Sequence, residues 1–281
     1  MNISYKKYIS AVLFLMIANI FSWGIILSSS FNDDAEIYFL DVGQGDSELI
    51  KTGGASFLID TGSNFKILDN LEKLLPFYKK RIDVVFISHG QLDHAGGMFQ
   101  IIKNFDIGLV IYNGIETELW KNLRASLLEN KIPYVVLSAG DKVYYKQDNF
   151  KIIWPQKIDS NSKVPINDDS MVIKFEGRNL SSLFTADISS KTEQKILDKS
   201  VSADILKVPH HGSKYSSLAD FIGAVNPKIA VVEVGKNSYG HPTKDALSRI
   251  SALGAQIFRT DINGIIKIFR QNNLIKVSGL K

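Results

Sequence analysis

The chain of 281 residues contains no cysteine. That absence excludes disulfide partners, thiolate metal sites and cysteine nucleophiles in one step, so any metal must be held by imidazole, carboxylate, amide or backbone oxygen. Charge of one sign is also lacking: 33 basic against 29 acidic residues leave a formal charge of +4, some of it from Lys6 and Lys7. Composition alone therefore gives no argument for nucleic acid. Nor does any interleaving of aromatic with basic residues mark a strand-binding groove along the chain. After Glu36 there is no repeat, low-complexity stretch or linker long enough to separate domains, which predicts one domain over residues 36–278.

One long apolar run is present, and it stands apart at the N-terminus. Ile9 to Leu27 carry no charge, and Lys6 and Lys7 precede them. A run near ~20 residues can span a bilayer as a helix and exceeds the ~7 to 15 residues of a signal-peptide core. Residues 1–30 are thus expected to be a membrane anchor, with cleavage after the small residues Ser28 and Ser30 as the alternative. Lysines before the run and Asp33, Asp34 and Glu36 after it predict a single-pass protein with its domain outside the cell, or a secreted one if cleaved.

The remainder is rich in short β-like runs: Ile37–Leu40, Ser56–Ile59, Val84–Ser88, Leu109–Tyr112, Tyr134–Leu137, Phe150–Trp154, Met171–Phe175, Leu183–Ala186, Ile205–Val208, Ile229–Val234 and Ile265–Phe269. Helical periodicity lies between them, at Ile67, Leu71, Leu74 and Leu75, at Leu119, Leu123, Leu127 and Leu128, and at Ala246, Leu247, Ile250 and Leu253, where Gly254 stops the helix. Strands with interspersed helices suit two sheets packed face to face with helices outside, a four-layer α/β sandwich.

All 5 histidines fall in three short clusters: His89 with His94, His210 with His211, and His241. Each follows an apolar run or sits in a Gly/Pro-rich loop, where functional groups gather. The densest is His89-Gly90-Gln91-Leu92-Asp93-His94-Ala95-Gly96-Gly97, which puts three potential ligands into six residues directly after an apolar run. A loop leaving a strand can turn side chains at such spacings toward one point, and its glycines let the backbone pass close to an ion.

With Leu58-Ile59-Asp60-Thr61-Gly62 ahead of it, this segment resembles the HxHxDH motif of the metallo-β-lactamase superfamily. Phe39-Leu40-Asp41-Val42-Gly43-Gln44-Gly45-Asp46, Val208-Pro209-His210-His211-Gly212-Ser213 and Gly240-His241-Pro242 narrow the resemblance to the hydrolase domain of ComEC-type DNA-uptake proteins and their free-standing relatives. It covers about Glu36 to Ile268. It implies an αββα sandwich and a divalent metal centre, Zn²⁺ or Mn²⁺, with one or two ions. His89 would serve the first metal, Asp93 and His94 the second, and Asp187 would bridge them. Asp60 would orient a ligating imidazole. Of the adjacent histidines, His210 is expected as a ligand and His211 near substrate, an order that one sequence leaves reversible. His241 suits a substrate phosphate or the leaving group, Asp93 the attacking water, and Ser213 and Lys214 substrate contacts. Lys207, Lys214 and Lys236 lie beside the motifs as phosphate-holding candidates. Asp41 to Asp46 is expected to form a tight turn bordering the cleft rather than to bind metal.

Two departures matter. Position 91 is commonly His in the superfamily and usually Asp in the ComEC-like branch, but here it is Gln91. No histidine lies between His94 and His210 to complete the first metal site, leaving Asn167, Asp168 or Asp169 as substitutes. A single or unevenly occupied metal site follows. The resemblance makes a DNA phosphodiester the leading substrate. The competing readings are hydrolysis of a small phosphodiester, ester or lactam, and a surface binding module with weakened catalysis. The multi-span channel region of full ComEC proteins is missing, so DNA uptake is not credited to these residues.

Overall fold

The computed structural model describes residues 3–29, 34–76, 78, 80–157 and 166–280. Ser30 and Asp33, which entered the export expectation, lie outside them. Helix α1 (Ile3–Ser29) contains an 18-residue window, Lys7–Gly24, with mean hydropathy 1.4 and no residue of it buried. By length and composition it can cross a membrane, a test that signal sequences also pass.

Fifteen strands are present among the described residues: β1 (Glu36–Phe39), β2 (Glu48–Thr52), β3 (Ala55–Ile59), β4 (Arg81–Ile87), β5 (Asp106–Tyr112), β6 (Tyr134–Val136), β7 (Lys142–Tyr145), β8 (Asp148–Trp154), β9 (Val172–Glu176), β10 (Ser181–Phe184), β11 (Ile205–Lys207), β12 (Ile229–Val232), β13 (Gln256–Arg259), β14 (Ile265–Gln271) and β15 (Leu274–Leu280). They form an eight-stranded sheet ordered β15-β14-β1-β2-β3-β4-β5-β6 and a seven-stranded sheet ordered β13-β12-β11-β10-β9-β8-β7.

The period-two geometry of a strand explains the continuous apolar runs, because both faces of each sheet are covered. In β1, Ile37 and Phe39 point between the sheets while Tyr38 joins the outer core. In β4, Phe86 points inward and Val85 and Ile87 outward. The inter-sheet core is aromatic: Phe150 lies 4.6 Å from Phe57, 5.3 Å from Phe86 and 5.0 Å from Phe175, ring centre to ring centre. Each such ring buries a large apolar area and adds about 0.5–1.5 kcal/mol through pairing geometry.

Helices close both outer faces and complete the four layers. Helices α2 (Lys66–Leu74), α3 (Leu92–Ala95), α4 (Met98–Asn104) and α5 (Glu118–Glu129) pack Ile67, Leu71, Ala95, Ile101, Leu123 and Leu127 onto the larger sheet. Beyond the smaller sheet come α6 (Ser190–Lys195), α7 (Ala219–Val225) and α8 (Lys244–Ala252), with Phe221, Ile222 and Ile250 facing it. The Thr117 hydroxyl caps α5 by accepting from the Trp120 amide at 3.0 Å. Strands β2, β7, β13 and β15 have no counterpart among the runs picked out by sequence. Of these, β7, β13 and β15 are edge strands without a buried position, so they carry no sustained apolar run.

The topology that matters for function is the parallel portion. Strands β3 to β6 pair in parallel in one sheet, and β10 to β13 in the other. Parallel neighbours bring their carboxyl ends to one edge, where open α/β sheets collect their sites. Asp60 follows β3, His89 follows β4, Asp187 follows β10, the two histidines follow β11, and Glu233 follows β12.

Candidate metal centre

The carboxyl edge of the parallel strands is backbone-constrained. Asp60, Ala186, His210 and His211 all adopt left-handed φ, at 54°, 44°, 50° and 51°. Residues other than glycine take up this conformation at a cost that the surrounding structure must offset, and such positions concentrate at functional sites. Gly45 is required for a different reason: a Cβ there would stand 2.2 Å from the Asp93 carbonyl oxygen. That close approach lets the Asp46 amide donate to the same carbonyl at 3.2 Å, joining the Asp46 loop to α3.

Asp93, His94, Asp187 and His211 each present a donor atom, and these atoms lie within 4.8 Å of one another. The Nε2 atoms of His94 and His211 and one oxygen of Asp187 are buried without a hydrogen-bond partner. Buried polar atoms without partners are costly, so a convergent set of them fits a bound cation. The ligand chemistry agrees, since two imidazoles and two carboxylates suit zinc or manganese. The residues present therefore fit the divalent metal that the fold implies.

The far sides of both rings are fixed. His94 Nδ1 lies 2.8 Å from Asp60 Oδ2, while the other Asp60 oxygen accepts from the Ser88 amide at 2.8 Å. His211 Nδ1 lies 2.8 Å from the Glu233 carbonyl oxygen and 3.3 Å from Asp46 Oδ1. An imidazole that donates from Nδ1 keeps the Nε2 lone pair for a metal. Burial alone would push both histidines down. For His94 the carboxylates of Asp187, Asp46 and Asp60 overcome it and raise the pKa well above the ordinary value. For His211 those of Asp187 and Asp46 raise it to about 10. Burial of Asp187 is likewise overcome by His211 and His94, which hold its carboxyl well below the usual range.

His89 stands beside this group with its ring 4.2 Å from that of His94 and its Nε2 buried and unpartnered. Burial, with His94 next to it, lowers its pKa to about 3, so its ring is neutral. Its donor atom is not one of the four that converge. His210 is also outside them: its Nε2 is 3.9 Å from Asp187 and its side chain is 30% exposed. His211, rather than His210, thus occupies the inward position. The turn Pro209–Gly212 explains the exchange, because the His210 amide is tied to the Ala186 carbonyl at 3.0 Å while the next ring is drawn in by Glu233.

The remaining candidates divide clearly. The Gln91 amide donates to Asn167 Oδ1, pairing the unusual residue with one proposed substitute. Asp168 accepts from the Ser189 amide at 3.0 Å and the Thr192 hydroxyl at 3.2 Å. The Asp169 carbonyl accepts from Asn113 at 2.9 Å, and burial followed by Asp168 raises the Asp169 carboxyl to about 6. Ser213 is buried, while Lys214 is exposed with its ammonium 4.9 Å from the Tyr215 ring centre. His241 faces His210 at 5.6 Å.

Two residues read differently from sequence prove to be structural supports of the centre. Lys207 is not at the surface: it is fully buried, donates to the Ala186 carbonyl at 2.9 Å, pairs with Asp46 and approaches Asp187 at 3.8 Å. Asp46 is fully buried against His211 and Lys207, whereas Asp41 accepts from the Gly43 amide in the expected turn. Glu48 and Glu233 lie beneath them, and burial together with the neighbouring carboxylates raises both pKa values well above normal. No local pattern could have found Glu233, since its partner Ser47 is 186 residues away.

The family model described as Metallo-beta-lactamase superfamily matches residues 40–235. "ComE operon protein 3" of Bacillus subtilis is 30% identical over 268 residues, covering 87% of this chain and 34% of that protein. "Competence protein ComA" of Neisseria gonorrhoeae is 27% identical over 276 residues, covering 92% and 37%. The chain thus spans about a third of the length of the curated relatives it matches. Among solved structures, the metallo-beta-lactamase fold protein YhfI of Bacillus subtilis superposes with a TM-score of 0.58 at 11% identity, covering 83% of this chain and 99% of that one. Igni18, a metallo hydrolase of Ignicoccus hospitalis, gives 0.57 at 12% identity, covering 84% and 100%. These superpositions carry the fold.

Proposed function

The chain belongs to the metallo-β-lactamase superfamily, and from that premise we propose that it is a metal-dependent phosphodiesterase acting on DNA outside the cell. The observation that carries this reading is the convergence of Asp93, His94, Asp187 and His211 with unpartnered donor atoms. Those four would hold the ion, with His89 beside them for a second. A divalent ion held there supplies a Lewis acid and a water of lowered pKa for attack on phosphorus. Asp93, with 31% of its side chain exposed, is the ligand open to solvent and suited to orient that water. His210 and His241 line the outer side, and burial lowers the pKa of both. Neutral rings there can accept a hydrogen bond from water or donate one to a phosphate oxygen.

The DNA assignment draws support from the competence proteins that the chain resembles at about 30% identity. Residues 9–27 are proposed as the membrane tether, with the domain facing outward or released by cleavage. The test uses full-length protein in detergent, stripped of metal and reloaded with Zn²⁺ or Mn²⁺. Metal content, hydrolysis of a chromogenic phosphodiester and degradation of linear DNA are measured together, with Asp187→Asn as control. Metal-dependent DNA degradation lost in the control supports the reading. Hydrolysis of the small ester alone indicates another substrate. Metal binding without turnover indicates a binding module, the reading favoured by the Gln91 to Asn167 pairing.

A further inference from the structure

We propose that the exposed ring of Tyr239, in series with His241 and His210, is a stacking platform for a nucleobase of single-stranded DNA whose neighbouring phosphate lies at the metal centre. This rests on the phosphodiesterase reading and names the form of DNA that the site takes. No such groove is visible along the sequence, because Tyr239 and His241 share one loop and meet His210 of another only in space.

The rings form a continuous path from solvent to the cluster. Tyr239 is 73% exposed and its ring centre is 5.8 Å from that of His241. His241 is 5.6 Å from His210, which is 6.3 Å from His211, a member of the converging group. Tyr239 and His241 are tilted by 33° and do not stack, unlike Tyr112 and Trp120 at 3.7 Å and 14°. With 73% of Tyr239 exposed and His241 not stacked on it, the ring is accessible to a planar ligand.

An exposed tyrosine on a loose loop would carry little meaning, but this loop is held. The Asn237 side chain accepts from the Tyr239 and His241 amides, both at 3.1 Å, and donates to the Gly235 and His241 carbonyls, both at 2.9 Å. Gly235 anchors the start of the loop against Gly43 and Gln44, where a Cβ would stand 2.4 Å from the Gly43 carbonyl carbon. A large apolar ring kept at the surface on a pre-ordered loop, leading to a cationic centre, is how single strands are bound: bases stack on aromatic faces while charge holds the backbone. A duplex buries the faces of its internal bases, so along a strand only an unpaired nucleotide can use the platform.

The test measures binding of a phosphorothioate-linked oligothymidylate, chosen to suppress cleavage, to full-length protein in detergent with Mn²⁺, by fluorescence anisotropy. A blunt duplex of the same linkage is the comparison. Tyr239→Ala should weaken single-strand binding roughly 5- to 100-fold, the range for loss of one base-stacking ring. Tyr239→Trp should restore it, and duplex binding should be little changed by either. Tyr144→Ala, which removes an equally exposed ring on β7 (68% exposed), should have no effect. Single-strand binding that survives Tyr239→Ala, or that Tyr239→Trp fails to restore, overturns the platform while leaving the phosphodiesterase reading standing. A wild-type protein that binds neither DNA overturns both.

Discussion

Replacing Lys207 by methionine tests whether the support beneath the metal centre is electrostatic. Lys207 is fully buried; burial would lower its pKa, but the carboxylates of Asp46 and Asp187 overcome this and keep it protonated. Methionine keeps most of the volume and removes the charge. It leaves the Asp46 carboxylate fully buried without its lysine, with only His211 and His94 to offset it and with Glu48 and Glu233 close by. Truncating one partner of a buried ion pair costs about 3–5 kcal/mol, because the other charge stays behind. That is a large fraction of the ~5–15 kcal/mol that holds a typical domain. At roughly 2–4 °C per kcal/mol for a domain of this size, the melting temperature should fall by about 6–20 °C. Adding Asp46→Asn removes the stranded carboxylate, so the double variant should recover most of the loss. Asp46 resists protonation in the wild type because Lys207, His211 and His94 outweigh its burial. Its stabilising contribution is present above the ordinary aspartate pKa and is lost as pH falls through its lowered value, so the two proteins should converge in acid. Urea and thermal unfolding in detergent, with free metal held constant, provide the readout. A single variant that loses under about 1 kcal/mol, against the ~3–5 expected, would refute the reasoning, as would losses that simply add.

Three further outcomes are expected. Asp60→Asn keeps the shape but weakens the hold on His94 Nδ1, and should lower metal affinity roughly 10- to 100-fold; a chelator-competition titration that shows no change sinks that role. Because His211 is raised to about 10 and His94 also well above normal, both carry protons at neutral pH without metal, and an ion must displace them; affinity should rise with pH up to that value. Calorimetry in buffers of different ionisation enthalpy should reveal up to about two protons released per ion, and heats independent of buffer would contradict it. Gln91→Asp replaces the amide that donates to Asn167 with a carboxylate, which should raise occupancy of a second ion and tighten binding by about 10- to 100-fold; unchanged metal stoichiometry would place position 91 outside the coordination sphere.

The layered fold was legible because apolar runs report burial on both faces of a strand, as in Val84–Ser88 and Ile229–Val234. The edge strand β15 was not, since its exposed positions interrupt any such run. Within the candidate site, the chain alone determined that His89, Asp93 and His94 share one short segment, because residues so close in sequence cannot be far apart. It determined equally that two adjacent histidines follow β11 at the end of an apolar strand. Which of the two turns inward was decided by tertiary structure: both positions take up left-handed backbone, and the Glu233 carbonyl just after β12, with Asp46, holds His211. The same holds for Lys207, whose place beside the Val208–Ser213 motif suggests a phosphate contact until folding pairs it with Asp46 in the interior. It holds also for Tyr239, joined to His210 by ring contacts between separate loops. Sequence spacing fixes what can share a turn, whereas the direction of a side chain and the charge it meets depend on segments that only folding brings together.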